Sequence, residues 1–303
     1  MPFGDFLRVT DIMDATQMSN DDWRKGFPGL NYSIIYNENE NTYYLFYAAW
    51  GGSGTNMCIG VATSTDLVNW VQNPNNPIIV PSVEDDAPDK GGMTCPNVIQ
   101  VGDKYIMYYC GFSLPGFESG VHTICYATSS DLINWTKGGA ILECSDFPQY
   151  KGQDIGVIYV PRVKYIFGRY YMFINAGVGD AAPNGPSENI YVAVSDNPIS
   201  GWSVLGLLLD SEKLYPAAEY KIIADPDLIY NGNHFIMVTH GTAGLVLWGC
   251  PMNEFPMNWK PIGTIKGAYG IRPLFVPIND NIYLITNSDG EQKKVTLFRT
   301  NWL

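Results

Sequence analysis

The sequence is short of basic residues, histidine and long apolar runs, and each shortage excludes a class of function. Its 303 residues include 18 Lys and Arg against 30 Asp and Glu, which gives a net charge of −12. Phosphate backbones and anionic lipid surfaces repel such a chain, so neither nucleic acid nor a membrane is an expected partner. We find no run of 18 apolar residues and no export signal. The oligomeric state stays open.

Motifs for cofactors and metals are also missing. The six cysteines have scattered spacings without a C-x-x-C pair, and only three histidines occur, so neither a zinc site nor a redox motif is indicated. The chain has no P-loop, no G-x-S-x-G elbow and no EF-hand spacing. We therefore expect no cofactor and free structural thiols in a reducing cytoplasm. A calcium ion held by carbonyls and carboxylates remains an open alternative.

What the sequence does contain is an internal repeat. The stretch "VATSTDLVNW" (61–70) returns as "YATSSDLINW" (126–135), and a weaker copy, "VAVSDNPISGW", begins at residue 192. Asp66, Asp131 and Asp196 are evenly spaced (131 − 66 and 196 − 131 are both 65). A fixed period of this kind predicts several copies of one supersecondary unit.

Each unit has the pattern of four short strands. Aromatic or β-branched runs such as "TYYLFYAAW" (42–50) occur five times, each after an apolar run and a tight turn. We therefore predict an all-β fold, a five-bladed β-propeller with four-stranded antiparallel blades in one domain over residues 1–303. The fifth unit has only three strands, so residues 6–13 should supply its outer strand and close the ring.

The repeated aspartates and tryptophans are predicted to be structural. Equivalent positions on different blades lie far apart, so these side chains cannot converge on one ligand. Asp at the first position of a turn satisfies nearby backbone N–H groups, and Trp packs between blades. These roles are assigned to Asp66, Asp131 and Asp196 and to Trp70, Trp135 and Trp202.

A binding site is expected where the first strands of the five units begin, at the mouth of a central funnel. One equivalent position there is occupied by five different residues: Asn31, Cys95, Val160, Asp225 and Arg272. Proline follows in four of the five, and we expect it to hold the preceding residue in extended geometry at a strand start. Different side chains at equivalent positions are what an asymmetric ligand requires.

Four carboxylates are candidates for acid and base chemistry. Asp225 lies between apolar neighbours in "IIADPDLIY", which predicts a buried carboxyl group with a perturbed pKa. Three further acids each precede the funnel position by six residues and could instead be solvated loop acids: Asp89, Asp154 and Glu219. Candidate substrate contacts are Asn31, Cys95, Tyr159, Arg272, Trp50, Phe112 and His240. Long loops could form a lid through Glu118, Asp180 and Glu188.

The chain resembles the five-bladed β-propeller glycosidases, a group that includes arabinanases, β-xylosidases, invertases and mannoside phosphorylases. The resemblance lies in "CPNVIQVGDKYIMYY", "VPRVKYIFGRYYMF", "DPDLIYNGNHFIM" and the D-L-x-N-W turns, and it spans nearly all five units. It implies a glycoside hydrolase-like enzyme with two carboxylates flanking a glycosidic bond, and in several families a third aspartate that tunes the acid.

The residue-by-residue match to this group is incomplete. The first-blade aspartate falls at Asn31 and the third-blade aspartate at Val160, while the fourth-blade acid falls at Ala224 or Asp225. Three alternatives follow. The upstream acids could form a shifted carboxylate pair, the funnel could host lyase, isomerase or cyclase chemistry through Asp225, or a degenerate site could bind carbohydrate without turnover.

Overall fold

A computed structural model describes residues 2–20, 22–52, 54–178, 187–218, 221–288 and 290–302. Strands are the dominant regular structure in this part of the chain. Its one α-helix, α1, has four residues (Ser211–Leu214), and short 3₁₀ turns occur at Ala15–Gln17, Cys144–Asp146 and Met252–Glu254. No helix in the described ranges is long and apolar enough to cross a membrane.

Twenty strands make up the described sheets. An N-terminal strand, β1 (Leu7–Asp14), comes first. The first group is β2 (Phe27–Asn37), β3 (Thr42–Trp50), β4 (Cys58–Ser64) and β5 (Val71–Gln72). The second is β6 (Gly92–Val101), β7 (Lys104–Leu114), β8 (Ser119–Ser129) and β9 (Thr136–Glu143). The third is β10 (Ile155–Ile166), β11 (Arg169–Val178), β12 (Ser187–Ser195) and β13 (Ser203–Leu209). The fourth is β14 (Lys221–Tyr230), β15 (His234–Gly241), β16 (Gly244–Pro251) and β17 (Lys260–Thr264). The fifth has β18 (Ile271–Ile278), β19 (Asn281–Asn287) and β20 (Lys294–Asn301).

Consecutive strands within each group are antiparallel, as the hairpin signals predict. The first, second and fifth groups are separate four-stranded sheets, the fifth including β1. The third and fourth groups are joined by a short parallel pairing, in which Ser187 and Glu188 of β12 lie opposite Lys221 and Ile222 of β14. An all-β fold of four-stranded antiparallel units is therefore established.

Strand β1 completes the fifth group from the opposite end of the chain. It pairs antiparallel with β20, with Leu7 opposite Arg299 and Met13 opposite Val295. Phe3 and Phe6, just before this strand, are buried in the core shared by the fourth and fifth groups. This is the pairing that the sequence indicates for residues 6–13.

The apolar core lies between neighbouring groups. Phe46 of the first group packs in one cluster with Met107 of the second, and the second and third, third and fourth, and fourth and fifth groups share similar clusters. Leu45 of the first group lies in a cluster with Ile285 of the fifth. No group buries its apolar faces alone, so the stability of each group depends on its neighbours.

The repeated turn has the structural role that the sequence predicts. Asp66 accepts hydrogen bonds from the backbone N–H groups of Val68 (2.9 Å) and Asn69 (2.7 Å). Asp131 repeats these bonds with Ile133 and Asn134, which lowers the pKa of its carboxyl group to about 2 against an opposing effect of burial. The Trp135 ring meets Phe46 of the preceding group edge-on at 5.7 Å.

The third copy of the turn is displaced by one residue from the predicted alignment. Asn197, not Asp196, accepts a hydrogen bond from the backbone two residues on, at Ile199 (3.0 Å). Asp196 instead pairs with Arg169 at the surface. The even spacing of the three aspartates is therefore fortuitous in the third copy, although Trp202 still packs on Tyr108 of the preceding group at 6.1 Å.

The first strands of the five groups, β2, β6, β10, β14 and β18, are named the leading strands. Each contacts the next, and β18 also contacts β2. Side chains link them: Ser33 accepts from the Val98 N–H (2.8 Å), Asn97 from the Val163 N–H (2.7 Å) and Asp227 from the Phe275 N–H (2.9 Å). The leading strands thus lie side by side around one region.

Removal of residues 1–14 should destabilise the whole described fold. The deletion leaves β20 without its partner and removes Phe3, Phe6 and Met13 from the core. We expect the thermal midpoint, followed by circular dichroism, to fall by at least about 10 °C. An unchanged midpoint would show that β1 is not integral to the sheet.

Two point variants separate the loss of a buried side chain from the mere shortening of a side chain in this segment. Phe6→Ala removes a buried ring and should lower the free energy of unfolding by about 3–5 kcal/mol. Its neighbour Leu7 is 68% exposed, so Leu7→Ala should change it by less than about 0.5 kcal/mol.

Candidate active site

The five residues at the predicted funnel position share an unusual backbone conformation. All have positive φ: 44° at Asn31, 57° at Cys95, 54° at Val160, 52° at Asp225 and 55° at Arg272. The expectation of extended geometry at a strand start is therefore wrong, because each residue lies inside its leading strand. Non-glycine residues rarely adopt this conformation, and such residues concentrate at functional sites.

A β-bulge explains this geometry. The pairing of each leading strand with its neighbour is interrupted here, for example between Thr94 and Asn97 and between Ala224 and Asp227. Two residues of the leading strand then lack a ladder partner. Proline is tolerated at the second of them because no N–H donor is needed there. The bulge turns the side chain before the proline out of the regular alternation.

Three of these five residues line a common cavity of about 110 Å³. Asn31, Asp225 and Arg272 face it, together with Glu118, Glu188, Tyr159 and His240. Phe117, Ile222 and Ile271 contribute apolar walls. Cys95 lies buried directly behind Asn31, and Val160 is buried in the core beside Tyr159. The structure therefore brings three of the five equivalent positions to one cavity and leaves the other two in the core.

Asp225 is the most strongly positioned carboxylate in the cavity. Its backbone N–H donates to the Asn175 side chain (3.0 Å), and its Oδ2 lies 2.6 Å from Nδ1 of His240 on the adjacent strand β15. Burial raises the pKa of Asp225, but His240, Arg272 and Arg162 outweigh it, so the pKa lies below its ordinary value. Asp225 is therefore ionised at neutral pH although it is buried.

Glu118 has the opposite electrostatic character. It stands at the end of the β7–β8 hairpin with φ of 45°, and its carbonyl contacts Nε2 of the buried His122 (3.1 Å). Burial raises the pKa of its carboxyl group to about 7; Arg272 opposes this shift, while Asp225 and Glu188 add to it. Near neutral pH, Glu118 thus holds a proton that it can donate.

Glu188 is the third carboxyl group in the cavity. It lies at the start of β12 and accepts a hydrogen bond from the Tyr159 phenol. Burial raises the pKa of Glu188, and the Tyr159 hydrogen bond and the charges of His240 and Arg272 only partly offset this effect. The phenol of Tyr159 is itself buried, and its pKa is raised well above the ordinary value. Tyr159 can therefore donate but not ionise.

Three other predicted site residues are described but do not line the cavity. Asp154 is exposed and accepts from the Gln149 side chain (2.8 Å). Asp89 is buried, but it pairs with Lys137 (2.7 Å) and the Tyr109 hydroxyl (3.0 Å). Phe112 is fully buried in the core. The 65-residue spacing of Asp89 and Asp154 therefore does not bring these two carboxylates into the cavity.

Two more predicted residues need separate mention. Trp50 contacts the cavity indirectly, since its ring packs on Phe117 at 5.7 Å and on Phe27 at 5.6 Å. Glu219 lies outside the described residues, as does the loop acid Asp180.

Glu118 and Glu188 were considered only as lid residues in the sequence, yet both form the cavity wall. One signal could have found them, because each is the acid nearest the start of the third strand of its group. Gln292, Ile222 and Ile271 carried no signal. Among the described residues, no three His, Cys, Asp or Glu side chains are grouped so that they could hold a metal ion.

The chain is similar in fold to solved structures of glycoside hydrolases. The family 117 glycoside hydrolase Zg3597 of Zobellia galactanivorans superposes with a TM-score of 0.70 at 14% identity, covering 99% of this chain and 90% of that one. An α-L-arabinofuranosidase from Lactobacillus brevis gives 0.68 at 13% identity, covering 94% of each chain. A structure from a study of β-1,2-mannoside-targeting GH130 enzymes gives 0.67 at 16% identity, covering 98% and 94%. These identities support the fold alone.

The sequence comparison is more specific. No curated protein sequence matches the chain significantly. The family model for glycosyl hydrolases family 43 matches residues 90–254, more than half of the chain. These findings confirm the resemblance to the five-bladed β-propeller glycosidases. Within that class, the chain belongs to glycosyl hydrolases family 43.

Ionisation of Glu118 should destabilise the folded state. Because its folded pKa of about 7 lies above the ordinary value of 4.5, the unfolded chain releases this proton first as pH rises. The resulting loss in the free energy of unfolding grows as pH rises from 4.5 to about 7 and reaches about 3 kcal/mol at higher pH. An amide cannot ionise, so Glu118→Gln should gain about 3 kcal/mol relative to the wild type between pH 4 and pH 8.

Urea unfolding at a series of pH values measures this difference. The exposed Glu38 provides a matched control, because Glu38→Gln should differ from the wild type by the same amount at every pH. A Glu118→Gln difference that is also constant with pH would rule out a buried, proton-holding Glu118.

Proposed function

We propose that the chain is a glycoside hydrolase-like enzyme that acts on a carbohydrate or glycoside in this cavity through carboxylate acid/base chemistry. The observation that carries the proposal is that two carboxyl groups in one cavity have pKa values shifted in opposite directions. Asp225 is ionised at neutral pH, whereas Glu118 keeps its proton to about pH 7. Neighbouring titratable groups whose pKa values are driven apart are the usual arrangement of a catalytic acid and base.

Each group then has one role. Glu118 donates its proton to the glycosidic oxygen as the bond breaks, and Asp225 activates water or attacks the sugar carbon. His240 fixes the orientation of Asp225, and the Tyr159 phenol holds Glu188. Three carboxyl groups in one cavity favour glycoside cleavage over lyase, isomerase or cyclase chemistry, for which one acid among aromatic side chains would suffice.

The proposal extends to the architecture. We propose that the five strand groups are five blades of one propeller domain, with β1 closing the ring against β20. Contacts between successive leading strands, including β18 with β2, support this arrangement, as does the core shared by the first and fifth groups. The six cysteines are free, which supports a reducing compartment such as the cytoplasm.

Replacement of either proposed catalytic group should abolish turnover. Glu118→Gln and Asp225→Asn should each lower kcat/KM on a panel of chromogenic aryl glycosides by at least about 10²–10⁴-fold. Wild-type activity should fall as pH rises through about 7, because Glu118 then loses its proton. The exposed Asp154 provides the matched control, and Asp154→Asn should retain full activity.

The folded state of each variant is checked by its thermal midpoint. Full activity of folded Asp225→Asn would refute the assignment. Failure of the wild type on every glycoside, with sugar binding retained, would indicate a carbohydrate-binding protein without turnover.

A further inference from the structure

Arg272 brings a guanidinium to the cavity, and no carboxylate of the described residues contacts it. Asp225 Oδ2 lies 2.6 Å from Nδ1 of His240, and Glu188 accepts a hydrogen bond from the Tyr159 phenol. The Arg272 guanidinium donates from Nη1 to the Gln292 side-chain oxygen, which is neutral. In the described ranges, no carboxylate oxygen lies within 4.0 Å of its nitrogens.

A second cavity residue also lacks a partner. Asn31 is only 3% exposed, and its Nδ2 donates to Sγ of Cys95 at 2.7 Å. Its Oδ1 is buried and has no hydrogen-bond partner among the described residues. A buried acceptor without a donor costs free energy, so a ligand that supplies a hydroxyl group there gains affinity.

We propose that the cavity binds an acidic sugar, one that carries an oxyanion such as a carboxylate or a sulfate ester, and that Arg272 binds this group. An acidic sugar offers both missing partners, an anion for the guanidinium and hydroxyl donors for Asn31. A neutral sugar satisfies Asn31 alone, and a free inorganic anion satisfies Arg272 alone. The inference rests on the proposed function, because it names the substrate class of the same cavity.

The remaining cavity wall suits one sugar ring. At about 30 Å³ per water molecule, a volume of about 110 Å³ holds roughly four water molecules, so the enclosed part of the cavity takes a portion of a single sugar ring. The Phe117 ring is fixed from behind by Phe27 and Trp50, with centroids 5.2 and 5.7 Å away. A rigid aromatic face of this kind packs against the C–H face of a sugar.

Binding of an anion at Arg272 should be coupled to protonation of Glu118. Arg272 lowers the pKa of Glu118, and a bound anion would cancel that effect, so complex formation should take up a proton near pH 7. The other groups whose charges or contacts bear on Glu118 are Asp225, Glu188, Tyr159, His122, Cys95 and Cys110. An acidic substrate would therefore keep the proposed catalytic acid in its protonated form.

Calorimetric titration of the full chain tests the proposal. The probes are the methyl glycosides of D-glucuronate and D-galacturonate, the neutral methyl glucoside and galactoside, galactose 6-sulfate, and inorganic phosphate and sulfate. We expect an acidic sugar to bind at least about tenfold more tightly than its neutral counterpart at pH 6. The uronate and sulfate-ester probes distinguish the two kinds of oxyanion.

Arginine variants localise the effect. Arg272→Met should remove the preference for the acidic sugar and the proton uptake, and Arg272→Lys should retain part of both. Arg299 lies on β20, is exposed and does not line the cavity. Arg299→Met therefore serves as the matched control and should retain the preference for the acidic sugar and the proton uptake. If Arg272→Met does not fold, the comparison of acidic with neutral sugars on the wild type still tests whether the cavity prefers an acidic sugar.

Two results would overturn the proposal: equal affinity for acidic and neutral sugars, or inorganic anions that bind as tightly as the acidic sugars. The proposed function fails separately. If Glu118-dependent cleavage of neutral glycosides occurs and Arg272 gives no preference for acidic sugars, only the proposed substrate class is refuted. If uronates bind tightly but no uronide is cleaved, only the proposed hydrolase function is refuted.

Discussion

The structure depends on hydrogen bonds that join neighbouring leading strands just beyond their bulges. Ser33, Asn97, Arg162 and Asp227 each stand two residues after a positive-φ residue, and each bonds to the backbone of an adjacent leading strand. Arg162 also donates to the Tyr32 carbonyl (2.8 Å), across the structure. These bonds satisfy buried polar groups and fix the relative positions of strands whose bonded residues are 48 to 66 residues apart in sequence.

Burial sets the electrostatics of the cavity. The same low-polarity surroundings favour the neutral form of Glu118 and Glu188, while the nearby cations keep Asp225 charged. The pKa values of three carboxyl groups in one cavity are therefore shifted in different directions because their neighbours differ. The arrangement requires His240 on β15 and Arg272 on β18, so it exists only after the fourth and fifth groups have packed together.

Much of the fold could be predicted from local patterns. Hairpin turns, aromatic strands and the D-L-x-N-W repeat indicated the four-stranded units, and the missing strand pointed to residues 6–13. The bulge could not be predicted from the local sequence. A proline by itself favours an extended conformation for the residue before it, and contacts between strand groups impose the positive φ instead. Glu118 was missed as a catalytic candidate because hairpin loops differ in length between groups. Asp89 was misjudged because its partner, Lys137, lies on another strand.

The bulges also separate the residues that join the leading strands from the positive-φ residues, three of which line the cavity. The interstrand bonds are made two positions downstream, so the positive-φ position holds an amide, a thiol, an alkyl group, a carboxylate or a guanidinium at nearly the same backbone φ. Evolution can thus alter chemistry at this position one side chain at a time, with little penalty to folding. Asn31, which stands where the resemblance to the propeller glycosidases implies an aspartate, is accommodated by the same backbone conformation as its four counterparts.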